Sequence, residues 1–262
     1  MFNILEFNKR QKLVLLVVFL TISLFFSQLL PLKSSIVWGV ILAFLTDLFL
    51  YVILRKDVRG SFFYPILILP FFYTIAFSLF YMLFPERFLS RFIISGVYAF
   101  GLYSLLLTQN IFAISSIRTI NLLRSARIVS FVITILVLLF LINIIFSFNP
   151  PFYMITVLIF AISFLLNVQS FWSYTLSSQN LKEIVVYSAS ISLALSELSI
   201  VLTIWPVNPT IYSIFLTGMF YVFSGLSHNW FEKRLFKGIL WEYVWVAFIS
   251  ILLLVVFSKW GI

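Results

Sequence analysis

Three acidic residues, Asp47, Glu197 and Glu242, stand within long apolar stretches of the sequence. Because hydrocarbon offers no hydrogen bonds, a carboxylate at membrane depth must face protein or a cavity, where it can take up a proton or bind a cation. Asp47 and Glu197 have no basic residue in their own stretch, so we predict that they form proton or cation sites. Glu242 lies beside Trp241 and Tyr243 at the start of its stretch, where the helix dipole and an aromatic belt account for it.

The surroundings of Asp47 and Glu197 leave a structural interpretation open. Asp47 follows Gly39 and Ala43 at four-residue spacing, and such small residues let another helix approach. Either carboxyl group is then a functional site or a protonated, packed structural acid. The helix that carries Glu197 has small or polar residues on two faces: one face holds Ser190 and Ala194, and the opposite face is rich in serine. Both faces favour protein neighbours, so we expect this helix to be central.

Two stretches carry polar side chains at helical spacing. One set begins at Ser163 and the other ends at His228, and both follow the spacing i, i+4, i+7, i+11, which places each set on one helix face. We predict that these faces line a polar cavity open to the cytoplasm; the alternative is direct hydrogen bonding between helices, about 0.6 kcal/mol per contact. The candidate cavity lining comprises Tyr51, Asn167, Ser170, Tyr174, Thr217, Tyr221 and Ser224.

Several kinds of chemistry are absent from the sequence. The chain has no cysteine and one histidine, His228, which excludes disulfides, thiolate chemistry, His-pair zinc sites and bis-histidine haem ligation. No glycine motif for dinucleotides or phosphates occurs, and no GxSxG-type elbow surrounds a serine. We therefore predict no catalytic residue, no metal site and no cofactor.

The elements that position these residues are membrane spans. The 262 residues are 63% apolar and 10% charged, and about 20 apolar residues suffice to cross a bilayer. We predict an all-α, polytopic helical bundle of nine spans, with seven or eight as the alternative count, in a single domain, 1–262, without a soluble part. The predicted spans are 13–30, 35–54, 61–84, 92–112, 128–148, 152–175, 184–205, 210–227 and 239–258, and 108–127 is expected to extend the fourth or fifth helix.

The distribution of basic residues predicts the direction of each span. Thirteen of the 17 Lys and Arg residues fall in alternate gaps, which the positive-inside rule assigns to the cytoplasm. The N-terminus is then cytoplasmic, the C-terminus is external, and every external turn contains proline. This pattern is typical of a repeated hairpin unit, although any series of short-looped hairpins would show it. Given a hydrocarbon core about 30 Å thick, these directions place Asp47 in the cytoplasmic half of the bilayer and Glu197 in the external half. We therefore interpret the two acids as successive stations for one ion.

Two functional classes fit these observations. The first is a small transporter or lipid-handling protein with a cytoplasm-facing polar cavity and buried carboxylates. The second is a noncatalytic subunit that assembles with a membrane protein partner or with further copies of itself. The net charge of +9 is dispersed over several turns, which predicts contact with anionic lipid head groups and no binding of nucleic acid. We expect a multi-pass protein of a prokaryotic plasma membrane.

Overall fold

The structure is a computed structural model that describes residues 8–29, 31–55, 64–83, 88–115, 122–176 and 181–258. Some of the Lys and Arg residues and one of the turn prolines on which the predicted direction of the spans depends lie outside these ranges or, for Lys33, have a side chain that is not described. They are Lys33, Lys56, Arg59, Pro85, Arg87, Arg118 and Lys259.

The described residues form nine α-helices and one 3₁₀ turn, and they contain no strand. All nine helices are long and apolar enough to cross a membrane, which confirms the predicted all-α fold with nine helices of membrane-spanning length within this part of the chain. Their direction across the bilayer stays a prediction. The helices are α1 Lys9–Ser27, α2 Leu32–Leu54, α3 Tyr64–Phe80, α4 Phe88–Ser115, α5 Leu123–Phe148, α6 Phe152–Thr175, α7 Leu181–Ile204, α8 Pro209–Phe231 and α9 Lys237–Val256, with the 3₁₀ turn at Tyr81–Leu83.

Two helices end beyond the positions that the apolar pattern predicts. Helix α4 runs on to Ser115, as the predicted extension requires, and its polar residues Thr108 and Gln109 are buried. Helix α8 ends four residues beyond the predicted position 227. In its last turns Ser227 and Asn229 donate side-chain hydrogen bonds to carbonyl groups of their own helix, so polar side chains fit the helix where the apolar pattern ends.

The chain divides into two compact units, Met1–Ile133 and Thr134–Ile262, called unit 1 and unit 2, and the prediction of a single domain stays a prediction. In unit 1, α1 packs on α2 and α4, and α3 packs on the same two helices. Small residues allow these close contacts: a methyl group at Gly39 would overlap the Ser78 hydroxyl, and one at Gly101 would overlap the Tyr73 hydroxyl.

The centre of unit 1 holds a buried polar cluster. The hydroxyl oxygens of Thr46 and Thr74 lie 3.2 Å apart, and the Tyr98 hydroxyl lies 3.4 Å from that of Thr74. Tyr73 donates a hydrogen bond to the carbonyl oxygen of Tyr98 at 3.1 Å. Thr74 also donates a hydrogen bond to the carbonyl oxygen of Pro70, which lies inside α3. Because proline has no backbone N–H, the helix lacks one backbone hydrogen bond there, and the side chains of the cluster add hydrogen bonds at the same place.

Unit 2 is organised around α8. This helix packs on α6, α7 and α9, and its polar residues form side-chain hydrogen bonds with α5, α6 and α9. The expectation that α7 is central is therefore wrong for unit 2. Helix α7 buries only the face with Ser188, Ser192 and Ser199, whereas its opposite face is exposed.

Candidate functional site

The polar faces predicted on α6 and α8 meet each other directly. Ser224 donates a hydrogen bond to Asn167 at 2.7 Å, and the Ser170 hydroxyl lies 3.0 Å from His228 Nε2. The Tyr174 ring stacks on His228 with ring centroids 4.2 Å apart. In each of the two pairs, Asn167 with Ser224 and His228 with Ser170, a long side chain of one helix contacts a short side chain of the other. We call this contact the α6–α8 seam.

The α6–α8 seam differs from the cytoplasmic cavity predicted at these residues. Asn167 and Ser224 are fully buried, and Ser170 is 3% exposed. The alternative of direct interhelical hydrogen bonding describes this geometry. The sequence identified both polar faces, but it could not show that the two helices that carry them are neighbours whose side chains fill the space between them.

The remaining predicted lining residues take different positions. Thr217 is buried in α8, and its hydroxyl has no hydrogen-bond partner among the described residues. Tyr221 packs against Tyr243 of α9, with ring centroids 5.4 Å apart. Tyr51 lies in unit 1, where its side chain is 49% exposed. The structure therefore does not gather the seven residues around one space within a unit.

Asp47 lies on the half-buried side of α2 in unit 1. Gly39 and Ala43, on the same helix face, are buried, as the small-residue pattern predicts. One carboxylate oxygen of Asp47, Oδ1, is enclosed by protein and has no hydrogen-bond partner among the described residues. An enclosed, unsatisfied carboxylate oxygen is costly, so this position suits a carboxyl group that binds a proton or a cation.

Glu197 is exposed on α7 in unit 2, which differs from the expectation of a buried carboxylate. Ser190 and Val201, which share its helix face, are exposed as well. The physical reason lies in the competing face of the same helix: the buried serines there let neighbouring helices approach closely, so that face forms the packing interface. Glu197 and Asp47 belong to different units.

A large groove opens at the end of unit 2 where α5 and α7 finish and α6 and α8 begin. Its volume is about 910 Å³, within the range of ligand pockets. Apolar and aromatic side chains dominate its walls, and a few polar groups from the turns interrupt them. We call it the proline-end groove; its walls include Phe146, Phe152, Ile155, Ile200, Ile204, Trp205 and Tyr212, with Ser147, Asn149 and Thr203 among the polar lining residues.

Local interactions fix the shape of the proline-end groove. Phe146 of α5 stacks on Tyr212 of α8 with ring centroids 4.3 Å apart, and the Tyr212 hydroxyl donates to the carbonyl of Trp205. Asn149 adopts a left-handed backbone, φ 47°, in the turn from α5 to α6, a conformation that asparagine tolerates better than most residues. Nearby, Asn143 lies within 3.4 Å of the Ser213 hydroxyl and joins α5 to α8.

The register of α7 relates Glu197 to this groove. Ile200 and Ile204 line the groove, and they follow Glu197 by three and seven residues, so all three side chains share one helix face. At a rise of 1.5 Å per residue, Glu197 lies about 4.5 Å farther along α7 than Ile200, toward the middle of the span. Glu197 is not itself a lining residue of the groove; it is an exposed carboxylate about one helical turn along α7 from the groove wall at Ile200.

A protein-family model described as "Protein of unknown function (DUF5656)" matches residues 15–257. The chain belongs to this family. No curated protein and no solved structure matches the chain. The matched range of this DUF5656 protein spans both units, the α6–α8 seam and the proline-end groove.

Sequence reasoning missed the proline-end groove in this DUF5656 protein because it followed polar residues, whereas the groove walls are mainly apolar. The available signal was the pair of proline-containing turns, with Pro150 before α6 and Pro206 before α8, which leave helix ends apart. Among the described residues no group of three or more His, Cys, Asp or Glu side chains could hold a metal ion. The groove walls offer mainly apolar and aromatic contacts, and the carboxylate of Glu197 stands outside the lining on the same face of α7.

Proposed function

We propose that the protein is a small transporter or lipid-handling protein that binds an amphiphilic, positively charged ligand in the proline-end groove, with Glu197 as the proton or cation site. The observation that carries this proposal is the placement of Glu197 on the same α7 face as Ile200 and Ile204 of the groove wall. A groove of about 910 Å³ accommodates the apolar part of such a ligand.

The charge preference follows from the position of Glu197. An exposed carboxylate in an apolar span is costly unless a proton or another positive charge accompanies it. Aromatic walls such as those of Phe146, Trp205 and Tyr212 also favour cations over anions, because the ring faces are electron-rich. A cationic ligand at Glu197 replaces a bound proton, which provides a means of coupling ligand movement to proton movement.

Asp47 supplies the corresponding candidate site in unit 1. Its enclosed oxygen without a described hydrogen-bond partner favours occupancy by a proton or a small cation. The two carboxyl groups then act as successive stations for one ion, which is the role predicted for them from the sequence. Under this proposal Asp47→Asn abolishes transport and leaves ligand binding in the proline-end groove intact.

Binding of a hydrophobic cation to purified protein in nanodiscs tests this proposal. Equilibrium dialysis with labelled tetraphenylphosphonium should detect binding that Glu197→Gln weakens at least about tenfold, equivalent to about 1.4 kcal/mol. Glu242→Gln is the matched control, since Glu242 is an exposed acid on α9, a helix that contributes no residue to the groove wall. Equal binding by the wild type and Glu197→Gln, or no binding by either, would contradict the proposal.

A second function, that of a noncatalytic assembly subunit, is favoured by the exposed face of α7. Glu197 and Ser190 are exposed there, and Ala194 between them is half-buried, so a partner helix that covers this face would supply a hydrogen-bond donor or a base to the carboxylate. This function predicts that a membrane protein, or a second copy of the chain, co-purifies with the wild type and is lost in Glu197→Leu. Tetraphenylphosphonium binding without such a partner favours the transporter.

Lipid contacts and location complete the proposal. Basic residues in the first turns of helices, such as Lys182 of α7 and Lys237 of α9, are exposed and suit contact with anionic head groups. We place the protein in a prokaryotic plasma membrane, with the proline end of unit 2 external.

A further inference from the structure

A second cavity lies at the opposite end of unit 2, where α7 begins and α8 ends. Its volume is about 590 Å³. It combines one acidic side chain, one basic side chain and three aromatic rings, and we call it the basic-end cleft. Its lining residues are Glu183, Tyr187, Trp230, Phe231, Lys233 and Leu235.

Aromatic packing forms the base of the basic-end cleft. Tyr187 of α7 contacts Phe231 of α8 edge to face, with ring centroids 5.0 Å apart, and Phe231 also packs on Phe171 at 5.5 Å. Trp230 and Leu235, by contrast, are exposed at its rim. An exposed tryptophan beside charged residues at the end of a span is typical of the interface between hydrocarbon and head groups.

The backbone after α8 holds Lys233 in place at this cleft. Lys233 has a left-handed backbone, φ 54°, at a position that usually carries glycine. Its N–H donates to the carbonyl of Trp230 and the N–H of Arg234 donates to that of Asn229, both at 2.9 Å, which are the two hydrogen bonds of a Schellman motif. Residues held in strained backbone conformations cluster at functional sites, which makes the ammonium group of Lys233 a candidate binding group.

We infer that the basic-end cleft binds the head group of a zwitterionic phospholipid, with the phosphate at Lys233 and the ammonium at Glu183. Both charged side chains line the cleft and are exposed. A purely anionic head group would be repelled by Glu183, and a purely cationic one by Lys233. The exposed Trp230 and Leu235 then contact the glycerol and the first carbons of the acyl chains. This site is separate from the proline-end groove and does not depend on the function proposed for it.

Lipid retention tests this inference. The intact protein is reconstituted in vesicles of equal parts phosphatidylethanolamine, phosphatidylcholine and phosphatidylglycerol, extracted in mild detergent, and its retained lipids are counted by native mass spectrometry. We expect the wild type to retain the two zwitterionic lipids over phosphatidylglycerol by about tenfold, a difference of about 1.4 kcal/mol. Glu183→Gln should abolish this preference by admitting phosphatidylglycerol, and Lys233→Gly should reduce retention of all three lipids.

Lys233→Gly is chosen because glycine suits the left-handed backbone, so the ammonium group is removed while the turn is kept. Lys182→Met is the matched control: Lys182 is an exposed base next to Glu183 in sequence but does not line the cleft, so retention should not change. Equal retention by the wild type, Glu183→Gln and Lys233→Gly would overturn the inference, as would a wild-type preference for phosphatidylglycerol. Displacement of the bound lipid by millimolar glycerophosphoethanolamine would overturn the assignment to a membrane lipid in favour of a soluble phosphoamine.

Discussion

Substitution of Gly225 by alanine tests the packing of α8 on α9. A Cβ atom at Gly225 would stand 2.5 Å from Cε1 and 2.6 Å from the hydroxyl oxygen of Tyr243, distances that real Cβ contacts do not show. The Tyr243 ring cannot move freely, because it is buried, packs on Tyr221 and accepts a hydrogen bond from Asn229 at 3.0 Å. The added methyl group must therefore displace a packed ring.

The expected loss of stability follows from three terms. Overpacking by one methyl group costs about 1–3 kcal/mol. Disturbing the hydrogen bond to Tyr243 adds about 0.5–1.5 kcal/mol. The higher helix propensity of alanine returns about 1 kcal/mol. The net prediction is that Gly225→Ala lowers the free energy of unfolding by about 0.5–3.5 kcal/mol.

The assay is reversible unfolding by SDS in mixed micelles, followed by circular dichroism, with a double-mutant cycle. Tyr243→Ala removes the obstructing ring, so Gly225→Ala should then cost nothing, and the coupling free energy should be at least about 1 kcal/mol. Gly96→Ala is the matched control, because a Cβ at Gly96 meets nothing within 4 Å, and it should not destabilise the protein. A coupling below about 0.5 kcal/mol would refute the packing of α8 on α9.

Three further predictions follow from the α6–α8 seam and the turn after α8. Single cysteines at Asn167, Ser170 and Ser224 should resist a hydrophilic thiol reagent that labels a cysteine at Lys233; labelling of all four would restore the polar cavity. Ser224→Ala should lower the free energy of unfolding by about 0.5–1.5 kcal/mol, whereas Ser227→Ala, which loses only a bond within its helix, should cost less; equal costs would contradict the seam. Lys233→Gly should raise that free energy by about 1 kcal/mol, and a decrease would contradict the left-handed turn.

The sequence was sufficient to predict the helices because their cause is local. Apolar stretches of membrane-spanning length have one main structural solution, so the count of nine holds throughout the described residues. The end of α8 was predicted four residues early because the apolar pattern stops after position 227, whereas the polar Asn229 donates a side-chain hydrogen bond to the helix backbone.

The candidate site was harder to predict because its causes are nonlocal. The polar faces of α6 and α8 were identified correctly, but their hydrogen bonds, such as that between Asn167 and Ser224, join residues 57 positions apart. Glu197 shows the same limit: its helix has two polar or small faces, and only the packing of neighbouring helices decides which face is buried. The proline-end groove brings together the ends of four helices, which no local pattern describes.

The most direct test of the central claim is photo-crosslinking of the protein in vesicles with a photoactivatable hydrophobic cation, followed by mass-spectrometric mapping of the labelled peptides. Binding in the proline-end groove predicts labels within 146–155 and 200–212, suppressed by excess tetraphenylphosphonium and reduced by Glu197→Gln. Labels spread along the exposed helix faces and unaffected by either treatment would contradict the claim.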